Sequence, residues 1–132
     1  MILLDTHIWH WWINQIPNRI SANIIDLIEH ADDVAVSAIS CFEMAWLVRH
    51  ERIDLGCEFE HWLKDVEEAQ CLRFLPVTPP IASLAVSLPE HHKDPQDRLI
   101  IATAIVEDTQ LLSFDTAFPA YAELQGRLVG RN

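Results

Sequence analysis

The sequence predicts a single three-layer α/β domain: a central parallel sheet of four to five strands flanked by helices. Three observations carry that expectation. Short apolar runs alternate along the chain with longer segments of helical periodicity. The runs are apolar throughout, as in strands buried on both faces, instead of alternating with polar residues. The 132 residues, half of them apolar, suffice for one core and are too few for two. We therefore read residues 1–132 as one domain.

Residues 1–4 form the first apolar run and the first expected strand. Residues 7–14, with Ile8, Trp9, Trp11, Trp12 and Ile13, read as a helix apolar nearly all round, and Pro17 interrupts it. Over 21–31, Ile24, Ile25, Leu27 and Ile28 share one helical face. Residues 34–36 are the second expected strand. Residues 40–52 read as a helix with Phe42, Ala45, Trp46 and Val48 as its apolar positions, and Gly56 closes the segment. A mostly charged helix over 59–69 turns Phe59, Trp62 and Val66 inward. Residues 72–77 are the third expected strand and 80–88 a short helix. Residues 95–107 form a strong helix with Leu99, Ile100, Ala102, Thr103 and Val106 inward. Leu111 and Leu112 form a fourth strand, and 127–129 a candidate fifth.

Composition removes several classes of function. With 50% apolar and 22% charged residues the chain is not intrinsically disordered. The longest apolar run, about 99–106, falls far short of the ~20 residues of a membrane span. The N-terminus meets Asp5 at once and has no basic region, so no secretory signal is expected. Three cysteines, Cys41, Cys57 and Cys71, make no C-x-x-C pair and are odd in number, which suits a reduced, cytoplasmic protein. Twenty acidic residues against nine basic ones give a net charge of −11. That balance argues against gripping nucleic acid through bulk electrostatics.

The acids fall where a parallel α/β sheet places its chemistry, at the carboxyl ends of the strands. Asp5 follows the first strand directly, and Asp115 follows the fourth by two residues. Glu43 lies one turn into the helix after the second strand, and Asp94 and Asp97 bracket the start of the 95–107 helix. Each acid also has a purely local explanation. Ser40-x-x-Glu43 fits a capping box. Asp94-Pro95-Gln96-Asp97 reads as an N-cap, a proline at N1 and an acid at N3. Asp115 suits a turn. Asp5, between an apolar strand and an aromatic segment, fits free solvation least. Taken together, carboxylates in one crevice would repel one another and favour a cation. Oxygen-only donors select hard ions such as Mg²⁺ or Mn²⁺, and such ions suit phosphate chemistry.

Four segments carry a family resemblance. They are Leu3-Leu4-Asp5-Thr6-His7, Ser37-Ala38-Ile39-Ser40-Cys41-Phe42-Glu43, the stretch from Asp94-Pro95-Gln96-Asp97-Arg98 to Ala104, and Leu111-Leu112-Ser113-Phe114-Asp115. In order and spacing they resemble the four acidic motifs of PIN-domain nucleases, and most of all those of VapC-type toxins of prokaryotic toxin–antitoxin pairs. The resemblance implies a Mg²⁺-dependent endoribonuclease, with Mn²⁺ as a substitute. It implies Asp5 and Asp97 as primary metal ligands, Asp115 on the same or a second ion, and Glu43 completing the quartet. Ser113 and Thr6 would orient these ligands, and Asp94 reads as the helix cap instead of a member of the metal shell. The implied reaction is water attack on an RNA phosphodiester, leaving 5′-phosphate and 3′-hydroxyl ends. A VapB-like antitoxin and a homodimer are the implied partners. The acidic charge points to one structured RNA, such as a tRNA or rRNA segment, recognised by shape.

Other residues admit weaker expectations. Arg98 would pair with RNA phosphate or with a neighbouring acid; Arg49 and Arg52 read as solvated helix ends. His91, His92 and Lys93 form a cationic loop without the spacing of a zinc site. Trp11 and Trp12 diverge by about 100° on a helix and cannot share one inward face, so one of them is expected against a partner chain. Two rival folds fail on residues. A receiver domain needs an acid pair after the first strand, where Leu4 precedes Asp5. A haloacid-dehalogenase phosphatase needs acid-x-acid, where His7 stands. A catalytically silent PIN-fold binding module remains the alternative, weakened by the presence of all four acids.

Overall fold

The computed structural model describes residues 1–131; Asn132, the last residue of the expected domain, lies outside the described residues. Five strands and six helices follow in order: β1 (Ile2–Leu4), α1 (Thr6–Ile13), α2 (Ala22–Glu29), β2 (Val34–Ser37), α3 (Ala38–Arg49), α4 (Phe59–Ala69), β3 (Arg73–Leu75), α5 (Pro79–Ser87), α6 (Pro95–Val106), β4 (Gln110–Leu112) and β5 (Leu128–Val129). Two 3₁₀ turns, Phe118–Ala120 and Ala122–Leu124, separate β4 from β5. All strand pairings are parallel, in the order β3-β2-β1-β4-β5.

Strand alternation divides the core into two layers. Leu3, Ala35 and Leu111 face one side and pack with α5, α6 and the 3₁₀ turns, through Ile81, Ala85, Ile100, Ile101 and Phe118. Ile2, Leu4, Val34, Val36 and Leu112 face the other, where Ile8, Trp9, Ile24, Ile28, Met44, Trp62 and Val66 cover them. Both faces are therefore buried, which is why these strands read as unbroken apolar runs. Trp9 is fully buried, its ring 5.3 Å from that of Trp62 and 5.6 Å from that of Phe74.

The expected elements are all present, with shifted edges. α3 begins at Ala38, directly against β2, because Ser37 ends the strand and also caps the helix, its hydroxyl accepting the Ile39 N–H at 3.2 Å. That start corrects the capping box expected at Ser40: Glu43 lies in the second turn, and Ser40 and Met44 are the buried positions of the helix. Phe42 and Trp46, two of the apolar positions named for this helix, are 58% and 45% exposed. Val106 is likewise outward at the end of α6. β3 is shorter than the 72–77 run because Pro76 has no N–H to donate. Trp11 and Trp12 are both partly buried, so neither is enclosed within the monomer.

The strand order reverses between β1 and β4. From β1 the chain winds outward through β2 and β3, then returns to lay β4 on the other side of β1, with β5 beyond it. A crevice outside the carboxyl ends of β1 and β4 follows from that reversal. The Asp5 N–H, just past β1, donates to the Leu112 carbonyl at 3.0 Å and ties the two strand ends together.

Candidate active site

Four separate local structures deliver carboxylates to that crevice. Asp5 leaves β1 and caps α1. Glu43 projects from the second turn of α3, and Asp97 from the first turn of α6. Asp115 lies in the turn after β4. All four line a single cavity of about 400 Å³, with Asp94, His7, Trp11, His92, Phe114 and Arg131 among its other walls.

Each carboxylate is held. Asp5 is buried; its Oδ1 accepts the Thr6 N–H at 2.7 Å and its Oδ2 accepts the Ser113 hydroxyl at 2.7 Å. Thr6 Oγ1 lies 2.8 Å from Glu43 Oε1 and 2.8 Å from the buried Ser40 Oγ. A hydroxyl carries one proton, so Thr6 serves Glu43 with its side chain and Asp5 with its backbone. Asp115 Oδ1 accepts the Ala117 N–H at 2.8 Å, which is the expected turn, and its Oδ2 lies 3.0 Å from His92 Nε2. Asp94 caps α6, accepting the Gln96 N–H at 2.9 Å, and Pro95 occupies the first turn as its sequence position suggests. Asp97 is buried two residues further on.

His92 is the residue that sequence reasoning missed. Its Nε2 lies 3.0 Å from Asp97 Oδ2 and 3.0 Å from Asp115 Oδ2. These three atoms fall within 4.8 Å of one another. The Asp94 N–H donates to His92 Nδ1 at 3.2 Å. An imidazole that ligates a metal through Nε2 carries its proton on Nδ1 and needs an acceptor there. Asp94 offers a donor instead, so the proton sits on Nε2 and His92 donates to the two carboxylates. It brackets them through Nε2. The signal was present in the sequence only as proximity to Asp94; the bracket depends on the loop fold, which the His92 N–H fixes by donating to the Tyr121 hydroxyl at 2.9 Å.

Arg98 takes a role other than either expected for it. Its guanidinium donates to the carbonyls of Val86, Leu88, Pro89 and His92 at 2.7–3.2 Å. It clamps the loop that carries His92, and its donors are committed there instead of to a phosphate or an acid.

Burial, and after it the charges of neighbouring acids, hold Asp5, Glu43 and Asp97 towards their neutral forms. Desolvation raises Asp5, against the opposing hydrogen bonds from Ser113 and Thr6. Desolvation likewise raises Glu43, opposed by Thr6. Asp97 is pushed up to about 8, by burial first and then by the charges of Asp5, Asp94, Glu43 and Asp115. No lysine or arginine pairs with the quartet among the described ion pairs. A divalent cation is the group this donor set lacks.

The PIN domain family model matches residues 2–124. The chain belongs to the PIN-domain family. It is 44% identical over 115 residues to Ribonuclease VapC22 of Mycobacterium tuberculosis, covering 86% of each chain. Among solved structures, its fold is similar to that in VapBC2 from Rickettsia felis bound to a promoter DNA fragment, at a TM-score of 0.72, 20% identity and full coverage of both chains. FitAcB from Neisseria gonorrhoeae matches at a TM-score of 0.65 and 20% identity, over 100% of this chain and 97% of that one. DNA-bound VapBC from Salmonella typhimurium matches at 0.68 and 18%, over 98% and 96%.

Two outcomes test this site. Asp97 ordinarily titrates near 3.8 and is held near 8 in the folded chain, so the folded state keeps a proton that the unfolded state releases. The resulting stability is full below pH ~4 and is lost as pH rises towards 8. Thermal denaturation of metal-free protein should therefore show Tm falling across that interval, and Asp97→Asn should flatten the profile. Separately, His92→Leu should weaken Mn²⁺ binding about tenfold, as loss of an outer-shell donor does. His92→Gln, which keeps an N–H, should retain most of the affinity in calorimetric titration.

Proposed function

We propose that the protein is a Mg²⁺-dependent endoribonuclease toxin of the VapC type, with Mn²⁺ able to substitute, and that a VapB-like antitoxin silences it. One observation carries this reading: in a PIN-family chain related to a named ribonuclease, Asp5, Glu43, Asp97 and Asp115 line one cavity at the strand-order reversal. The antitoxin follows from the fold likeness to toxins solved as VapBC and FitAB complexes.

The residues fit a hard divalent ion. Asp5, Asp97 and Asp115 are the ligands we assign, with Glu43 reaching the ion through water. Their oxygen donors suit Mg²⁺ or Mn²⁺. When bound, such an ion lowers the pKa of water and offsets charge on the phosphate oxygens. The chain supplies the rest. Ser113 and the Thr6 N–H fix both oxygens of Asp5. His92 holds Asp97 and Asp115 to a common point. Glu43, steadied by Thr6, is the base that takes the proton of the attacking water. Water oxygen joins phosphorus as the bond to the 3′ oxygen breaks, so the products carry 5′-phosphate and 3′-hydroxyl ends. Neither His7 nor His92 is needed as an acid–base pair, and the ribose 2′-hydroxyl is not the nucleophile. We further assign the substrate as one structured RNA, the working form as a homodimer and the compartment as the cytoplasm. No helix of the described residues is long and apolar enough to cross a membrane.

Sequencing of RNA 5′ ends from cells expressing the wild type and Asp5→Asn tests the proposal. Asp5→Asn and Asp97→Asn should each lower cleavage about a hundred- to a thousandfold, and chelator should stop the wild type. Metal-free stability of both variants should hold or rise, since each relieves repulsion. Metal-induced stabilisation without cleavage of any cellular RNA would instead favour a silent binding module.

A further inference from the structure

We propose that the mouth of the acidic cavity holds a subsite for an unpaired RNA segment, in which Trp11 and Phe114 stack bases and Arg19 and Arg131 take the adjoining phosphates. This rests on the ribonuclease reading and extends it to how the strand is held. The rings of Trp11 and Phe114 lie 6.2 Å apart at a 36° tilt, and both line the acidic cavity. The Arg131 guanidinium stands 4.5 Å over Phe114, and that of Arg19 5.7 Å over Trp11. A second cavity of about 440 Å³ shares Phe114 and Arg131 with the acidic one and extends to Arg19, so the two adjoin.

Charge placement makes this more than an aromatic surface. The chain has nine basic residues against twenty acidic ones. Lys64, Arg73 and Arg127 pair with carboxylates, and Arg98 is taken up by carbonyls. Among the described residues neither Arg19 nor Arg131 forms an ion pair. Arg131 lines the carboxylate cavity and Arg19 the cavity beside it. A guanidinium lying over a ring keeps its in-plane N–H groups free for a phosphate.

The occupant must satisfy both cavities. An acidic peptide suits the arginines but brings like charge to the carboxylates. A basic peptide suits the carboxylates and is repelled by the arginines. RNA gives phosphates to the arginines and shares a divalent cation with the carboxylates. The stacking faces then require unpaired bases, since a duplex keeps its base faces covered.

The test uses a labelled, unstructured oligouridylate of about ten nucleotides, within the span one such groove covers. Its binding is followed by anisotropy, first in chelator and then in Mg²⁺. Arg19→Gln and Arg131→Gln should each weaken binding about fivefold and lower the slope of log K against log salt by about 0.7. Trp11→Leu should weaken it by about fivefold or more. Mn²⁺ binding should be unchanged in all three. Unaltered affinity and slope would overturn the proposal. So would equal loss of Mn²⁺ binding, equal binding of duplex RNA, or displacement of the probe by polyglutamate as readily as by RNA. Cleavage that persists with the probe's binding untouched by these variants sinks the subsite alone. Lip-dependent binding without any RNA cleavage keeps the subsite and sinks the ribonuclease reading.

Discussion

Repulsion among carboxylates that the fold forces together is the constraint on which the site depends. A parallel sheet whose order reverses between β1 and β4 leaves one crevice, and the chain delivers acids to it from four separate local structures. Separately each acid has an ordinary local use: Asp5 and Asp94 cap helices, and Asp115 closes a turn. Burial first, and then the charges of its neighbours, push Asp97 up to about 8. Two apolar layers, built on Leu3, Ala35 and Leu111 and on Leu4, Val36 and Leu112, hold the sheet on which the crevice opens.

The hydrogen bonds around the acids form a rigid mount. Thr6 links Asp5 to Glu43 through its backbone and its side chain. Ser113 ties the end of β4 to Asp5, so the two strands at the reversal share one carboxylate. Arg98 and Tyr121 fix the loop that presents His92. For the ion proposed above, such preorganisation would leave less reorganisation to accompany binding.

Much of this was legible in the chain. Buried strands announced themselves as unbroken apolar runs, and the Asp94-Pro95 start of α6 follows from capping chemistry alone. The positions of Asp5 and Asp115 at strand ends placed them in the crevice once the sheet was taken as parallel. Three features were not legible. The start of α3 was misplaced because Ser37 and Ser40 are equally good caps in sequence, and only the register of β2 decides between them. The exposure of Phe42 and Trp46 was hidden because α3 turns Ser40 and Met44 inward, and apolar character alone does not tell which face of a helix is buried. His92 and Arg98 were misread because their partners are backbone groups and acids brought near by a loop, and no periodic pattern encodes a loop.

Anomalous diffraction from crystals grown with Mn²⁺ tests the central claim most directly. The account predicts a manganese peak in the acidic cavity, bound by oxygens of Asp5, Asp97 and Asp115, with His92 contacting the carboxylates and not the ion. A cavity without manganese at saturating concentration, or an ion bound elsewhere on the surface, would contradict it.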